Sequence, residues 1–239
     1  MIHNFYASTL RDAFQYTPTP EQEQAIGKLA LFLDSSVERS TFLLKGYAGT
    51  GKTTLVSSIV KACKSLNIPI ILLAPTGRAA KVFSGYSGKS AYTIHKWIYR
   101  QKSILDASQF TLMDNRAVNT LFIVDEASMI SNAGVSNFGS GALLDDLVEY
   151  VYSGNGCSLL LLGDTAQLPP VGEELSPALS QDYLSSMFLG VRAIELTQVM
   201  RQLSESGILY NATTIRCKLI DLRDGQESLI VADEEGSPS

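Results

Sequence analysis

Gly46-Tyr47-Ala48-Gly49-Thr50-Gly51-Lys52-Thr53 reads G-x-x-x-x-G-K-T, and the reading of this stretch decides the fold. Before it runs Thr41-Phe42-Leu43-Leu44, with the composition of a short buried strand. After it, Leu55, Val56, Ile59, Val60, Cys63 and Leu66 recur at helical spacing within Lys52–Leu66. Strand, glycine-rich turn and helix, in that order, are the context of a phosphate-binding P-loop. Glycine lets the backbone curl until successive N–H groups face one anion, and the start of the helix adds positive potential. Lys52 is then expected to reach the β- and γ-phosphates, and the Thr53 hydroxyl to ligate Mg²⁺. The competing reading is a glycine-rich turn ahead of an ordinary helix. With spacing and context both satisfied, a bound nucleoside triphosphate is expected.

Working outward, Thr19-Pro20-Glu21-Gln22 opens a helix over Pro20–Leu33, the first one marked in the chain. Thr19 suits the N-cap, Pro20 the first helical position, and Gln22 the third position of a capping box. Downstream, Ile68–Ala74 reads as a second buried strand, stopping at Pro75-Thr76-Gly77-Arg78, a turn that feeds a short helix. Ser84–Ser90 reads as a loop, and Thr93–Tyr99 as a short amphipathic piece. Gln109–Met113 alternates like one arm of a hairpin with Asp114-Asn115 as its turn. Thr120–Val124 is a third strand, Ser131–Ser140 a mobile loop, Leu143–Val151 a helix, Ser158–Leu162 a fourth strand and Ala193–Leu196 a fifth. Beyond them Ile208–Ile220 has helical spacing, and the last six residues form a polar tail. Strands alternating with helices predict an α/β fold, a parallel sheet with helices on both faces. Ligands of such sheets sit beyond the carboxyl ends of the strands, where the P-loop, Asp125 and Asp164 all fall.

Composition narrows the class. Over 239 residues, 45% are hydrophobic and 18% charged, as in an ordinary globular protein. A net charge of −5 argues against coating nucleic acid by bulk positive charge, while leaving room for a local basic groove. Cys63, Cys157 and Cys217 are far apart with no C-x-x-C pair, so reduced thiols in a cytoplasmic protein are expected, without a zinc site. The start of the chain lacks a basic region followed by an apolar segment, and the run Leu159–Leu162 is too short for a bilayer, so neither signal peptide nor membrane span is expected.

Leu121-Phe122-Ile123-Val124-Asp125-Glu126 is an apolar strand that delivers two adjacent carboxylates. Beside a P-loop, Asp125 is expected to hold Mg²⁺ and Glu126 to accept a proton from the attacking water. Alone, the pair fits a solvated turn as well. Gly163-Asp164-Thr165-Ala166-Gln167-Leu168-Pro169-Pro170 closes the next strand. Its Gln167 amide is placed to sense the γ-phosphate, or else Asp164 simply caps a turn.

Gly46–Thr54, Ala74–Phe83, Asp125-Glu126-Ala127-Ser128 and Gly163–Gly172 together resemble motifs I, Ia, II and III of superfamily 1 helicases. They are most similar to the superfamily 1B, RecD/Dda-like branch, which includes the exodeoxyribonuclease V alpha type. The resemblance spans about residues 18–202 and implies a P-loop NTPase of RecA-like fold, moving 5′ to 3′ on single-stranded DNA with ATP and Mg²⁺. It implies that Gly46, Ala48, Gly49, Thr50, Gly51, Lys52, Thr53 and Thr54 hold the nucleotide. Gln22 then resembles the glutamine that reads the adenine edge, in competition with its capping role. Lys52, Glu126, Gln167 and Arg201 take catalytic roles, Arg201 from Leu196–Gln202, which resembles motif IV, and Thr53 and Asp125 hold the metal. Thr76, Gly77 and Arg78 resemble the motif Ia grip on DNA phosphates, and Thr93 and His95 resemble motif Ib. His95 serves equally as a structural residue, and Trp97 and Tyr99 either stack on a base or belong to the core. Positions 100–119 occupy the place of the small inserted domain that carries a strand-splitting pin.

The resemblance stops after Gln202, where 37 residues remain and neither motif V nor motif VI follows. The expected division is a first RecA-like domain over 1–195 and the beginning of a truncated second one over 196–239. Lacking the motif VI arginine, the chain is expected to bind ATP but turn it over slowly. Two other classes remain open at this level: another P-loop NTPase, such as a kinase or assembly motor, and a nucleotide-gated adaptor without helicase activity.

Overall fold

Along the chain come α1 (Ile2–Asp12), α2 (Pro20–Leu33), β1 (Ser40–Gly46), α3 (Lys52–Ser65), β2 (Ile70–Ala74), α4 (Gly77–Ser87), β3 (Ala91–Thr93), α5 (Ile94–Ile98), β4 (Tyr99–Gln101), β5 (Phe110–Leu112), β6 (Leu121–Val124), α6 (Leu143–Ser153), β7 (Ser158–Gly163), α7 (Gln181–Ser186) and β8 (Gly190–Leu196). The computed structural model describes residues 2–35, 37–101, 110–132, 138–170, 172–173 and 175–199, all within one unit, Met1–Met200. Arg201, Cys217, the Ile208–Ile220 segment and the polar tail lie outside the described residues.

Six strands form one sheet in the order β3-β2-β6-β7-β1-β8, every neighbouring pair parallel. The strands are near-continuous apolar runs because both faces are covered. Alternate side chains point to opposite faces. Phe42, Leu44, Ile123, Leu160 and Leu162 pack with Leu10, Ile26, Leu29, Leu55, Ile59 and Phe83 of α1 to α4. Leu43, Phe122, Val124, Leu159 and Leu161 pack with Ile98, Leu144, Leu147, Val151 and Leu184 of α5, α6 and α7. The α/β parallel sheet with helices on both faces is therefore the observed fold. Among the described residues no helix is long and apolar enough to cross a membrane.

The capping box at α2 is present in full: Thr19 Oγ1 accepts the Gln22 N–H at 3.2 Å, and Gln22 Oε1 accepts the Thr19 N–H at 3.0 Å. Asn67 ends the α3 region at φ 54°, the left-handed conformation that asparagine tolerates.

Several expectations need correction. Ser84–Ser87 is helix, not loop, because α4 continues until Gly88 stops it at φ 69°. The Ser84 and Ser87 hydroxyls bond back to the Ala80 and Phe83 carbonyls, which satisfies them within the helix. Asp114-Asn115 is not a hairpin turn. β5 pairs antiparallel with β4, which precedes it, and Asn115 instead donates to the Tyr150 and Val151 carbonyls at 3.0 and 3.1 Å, covering the end of α6. The main sheet has six strands where five were expected, since β3 pairs with β2 through Leu72 and Ala91. The first helix is α1, not α2. Among its described side chains it buries Ala7 and Leu10 and leaves Phe5 exposed, too narrow a stripe to be read as periodic.

Candidate nucleotide site

The P-loop leaves β1 at Gly46, where a side chain has no room. A Cβ there would sit 2.9 Å from the Leu196 carbonyl oxygen and 2.9 Å from Thr50 Oγ1. Gly49 and Gly51 take φ values of 85° and 88°, which turn the chain into the start of α3. The buried Thr50 braces the turn by donating from Oγ1 to the Tyr47 carbonyl at 2.8 Å. Gly51 stands at the N-cap of α3 without a side-chain cap, and a helix N-terminus of this kind suits an anion. Lys52 Nζ donates to the Gly46 carbonyl and, at 3.0 Å, to the Tyr47 carbonyl. Ala48 of the turn and Thr53 at the start of α3 are exposed.

Gln22 reaches this loop from α2. Its Nε2 donates to the Thr50 carbonyl at 3.2 Å, and the side chain is only 3% exposed. The capping role is therefore what the geometry displays, extended by a bond to the loop.

The acids arrive on the same edge of the sheet. Val124 pairs with Leu161, and Leu161 with Leu43, so Asp125 leaves β6 level with Leu44, two residues before β1 ends at Gly46. With β7 between them, the two strands lie about 10 Å apart. Asp125 Oδ1 accepts the Glu126 N–H at 2.9 Å, and Oδ2 accepts the Tyr86 hydroxyl at 2.7 Å. Burial first, and then the Asp125 charge, push the Tyr86 phenol well above its ordinary range, so it remains a donor. Glu126 sits at φ 55°, ψ 38°, a left-handed conformation costing about 1 kcal/mol or more.

Gln167 meets this turn from β7. Its Oε1 accepts the hydroxyl of the buried Ser128 at 2.6 Å. Asp164 accepts the Ala166 N–H at 2.8 Å on its carboxylate, and so does cap the turn that presents Gln167.

Thr76, Arg78 and Val82 of α4 line a shallow groove of about 280 Å³ together with Asp125, Glu126 and Gln167. Gly77 and Arg78 are exposed, Arg78 on the groove, while the Thr76 hydroxyl caps α4 by accepting the Ala79 N–H at 3.2 Å. Thr93 and His95 are not brought to that groove. Thr93 caps α5 through the Lys96 N–H. The His95 ring sits between Tyr99 and Phe138, centroids 5.7 and 5.0 Å away, and burial lowers its pKa. Trp97 packs against the core. Tyr99 is buried and donates to Asp146 at 2.6 Å.

Two residues of the site, Ser128 and Tyr86, have no role assigned by the sequence. Ser128 was part of the quoted D-E-A-S, and its serine was the available signal. Tyr86 has no sequence signal, because its contact crosses from α4 to β6.

Comparison with known proteins follows the same lines. The AAA domain family model matches residues 17–236. The ATP-dependent RecD2 DNA helicase of Deinococcus radiodurans is 31% identical over 189 residues, which is 77% of this chain and 22% of that protein. The ATP-dependent DNA helicase dda of Enterobacteria phage T4 is 32% identical over 182 residues, 72% of this chain and 37% of that protein. The chain thus spans well under half the length of these relatives. The crystal structure of the Pif1 helicase from Candida albicans shares the fold, with a TM-score of 0.52 and 21% identity over 90% of this chain and 46% of the other. The chain belongs to the AAA domain family, within the superfamily 1B branch of RecD- and Pif1-like helicases.

Proposed function

We propose that this chain is the ATP-binding motor domain of a DNA helicase, in which hydrolysis drives movement on single-stranded DNA. The groove shared by α4 and the acidic turn carries the reading: Thr76 and Arg78, suited to strand phosphates, lie against Asp125, Glu126 and Gln167, suited to a triphosphate. The P-loop amides and Lys52 bind the β- and γ-phosphates. Thr53 and Asp125 offer only oxygen donors from the same sheet edge, which fits Mg²⁺. Bound there, the ion supplies positive charge to the phosphate oxygens. The Glu126 carboxylate takes the proton of the attacking water while Gln167 senses the γ-phosphate. Gln22 adds an adenine contact beside its structural bonds, and Arg201, outside the described residues, keeps the γ-phosphate role that its resemblance to motif IV implies. Gly77 joins Thr76 and Arg78 in the DNA grip, with Thr93 and His95 farther along the strand's path. Residues 1–195 act as a RecA-like domain, in a cytoplasmic protein.

The test is binding of labelled ATP with Mg²⁺ by the chain and by Lys52→Ala, together with a salt titration of single-stranded DNA binding. Loss of nucleotide affinity in the variant and a steep fall of DNA affinity with salt are expected. Full ATP binding by Lys52→Ala, or a salt-independent DNA curve, would refute the reading.

A further inference from the structure

We propose that Tyr86 is a positioning residue through which α4 sets the orientation of the Asp125 carboxylate for its metal. The inference rests on the nucleotide reading above. Tyr86 lies on the last turn of α4, its ring stacked on the fully buried Phe83 at 5.2 Å between centroids. Its hydroxyl holds Asp125 Oδ2 at 2.7 Å. Its own carbonyl lies 3.0 Å from Ser57 Oγ, on α3 one turn after Thr53, and the same hydroxyl lies 2.9 Å from the Thr53 carbonyl. One side chain and one carbonyl of Tyr86 therefore touch both elements that bear the expected metal donors.

Two donors orient the carboxylate. The Glu126 N–H comes from the strand end itself and does not depend on any other element. The Tyr86 hydroxyl comes from α4 and moves with it. A neutral donor on one oxygen fixes the carboxylate plane while leaving the charge for the cation. The other end of α4 is Thr76-Gly77-Arg78, the proposed phosphate grip. A strand bound there bears on the helix that steadies Asp125.

The test uses the 239-residue chain, its Tyr86→Phe variant and N-methylanthraniloyl-ADP as a fluorescent probe. The probe is titrated in EDTA and then against MgCl₂, with and without an oligothymidylate. The variant is expected to bind the probe in EDTA like the parent chain and to need about tenfold more Mg²⁺ for half effect. The oligothymidylate shifts the Mg²⁺ midpoint of the parent chain and leaves that of the variant in place. An unmoved or lowered midpoint in Tyr86→Phe overturns the proposal. So does an oligothymidylate without effect on the parent chain, or a loss of EDTA affinity as large as the midpoint shift, which marks a merely structural role. Undiminished probe binding by Lys52→Ala overturns the nucleotide reading itself, independently of Tyr86.

Discussion

The Glu21 carboxylate grips Thr197, accepting its backbone N–H at 2.8 Å and its hydroxyl at 2.6 Å, and the Gln198 N–H joins at 2.9 Å. The first turn of α2 thereby secures the chain as it leaves β8, while the next residue, Gln22, secures the P-loop.

Partial burial works to raise the Glu21 pKa, but the Gln198 and Thr197 donors outweigh it and hold the group below its ordinary value of 4.5. A depressed carboxyl contributes stability above that value and loses it as pH falls through the lowered one. Glu21→Gln is therefore expected to speed amide exchange at Thr197 and Gln198 about tenfold at neutral pH. The difference in denaturation midpoint between variant and parent should shrink below pH 4.5. Exchange rates equal in both proteins would refute the anchor.

Gly46→Ala should disrupt the P-loop, because the new methyl group meets the Leu196 carbonyl and the Thr50 hydroxyl, both at 2.9 Å. A loss of about 1–3 kcal/mol in urea unfolding is expected, with nucleotide affinity falling alongside. Retained stability would mean that the loop has slack.

Gln22 offers a cleaner comparison. Thr19→Ala removes one cap and should cost about 1 kcal/mol. Gln22→Ala removes the return bond of the cap and the Thr50 anchor, and should cost about 2 kcal/mol with no nucleotide present. If Gln22→Ala unfolds at the same urea concentration as the parent chain, the residue acts only on the nucleotide.

Burial pushes the Cys63 thiol from 9.0 up to about 12, so the folded chain holds this proton after the unfolded chain has released it. Stability should consequently fall between pH 9.0 and 12, by up to about 1.4 kcal/mol per unit from this group. In Cys63→Ala the decline measured by urea unfolding should be shallower from pH 9.0 upward. An identical slope would assign the alkaline loss to other groups.

The P-loop and the strands β1, β6 and β7 were legible because composition and motif agree: an apolar run ends in glycine or aspartate where the sheet edge must meet a ligand. Asp125 could be found in this way, and Gln22 through its spacing from Thr19. Tyr86 could not, since the contact depends on how α4 lies across the strand ends. Asn115 looked like a turn former for the same reason: its side chain serves α6, more than thirty residues away. At Thr93 and His95 the motif match coincides with local capping and ring packing, so the sequence there carries a structural signal beside the proposed DNA contact.

The pairing of β1 bears on how the protein is made. Thr41 emerges from the ribosome long before Leu159 and Val191, its neighbours on either side. The nascent chain must therefore wait for its distal third before the triphosphate cradle acquires walls. Translation arrested just after α6 should release a product that a nucleotide cannot rescue from proteolysis.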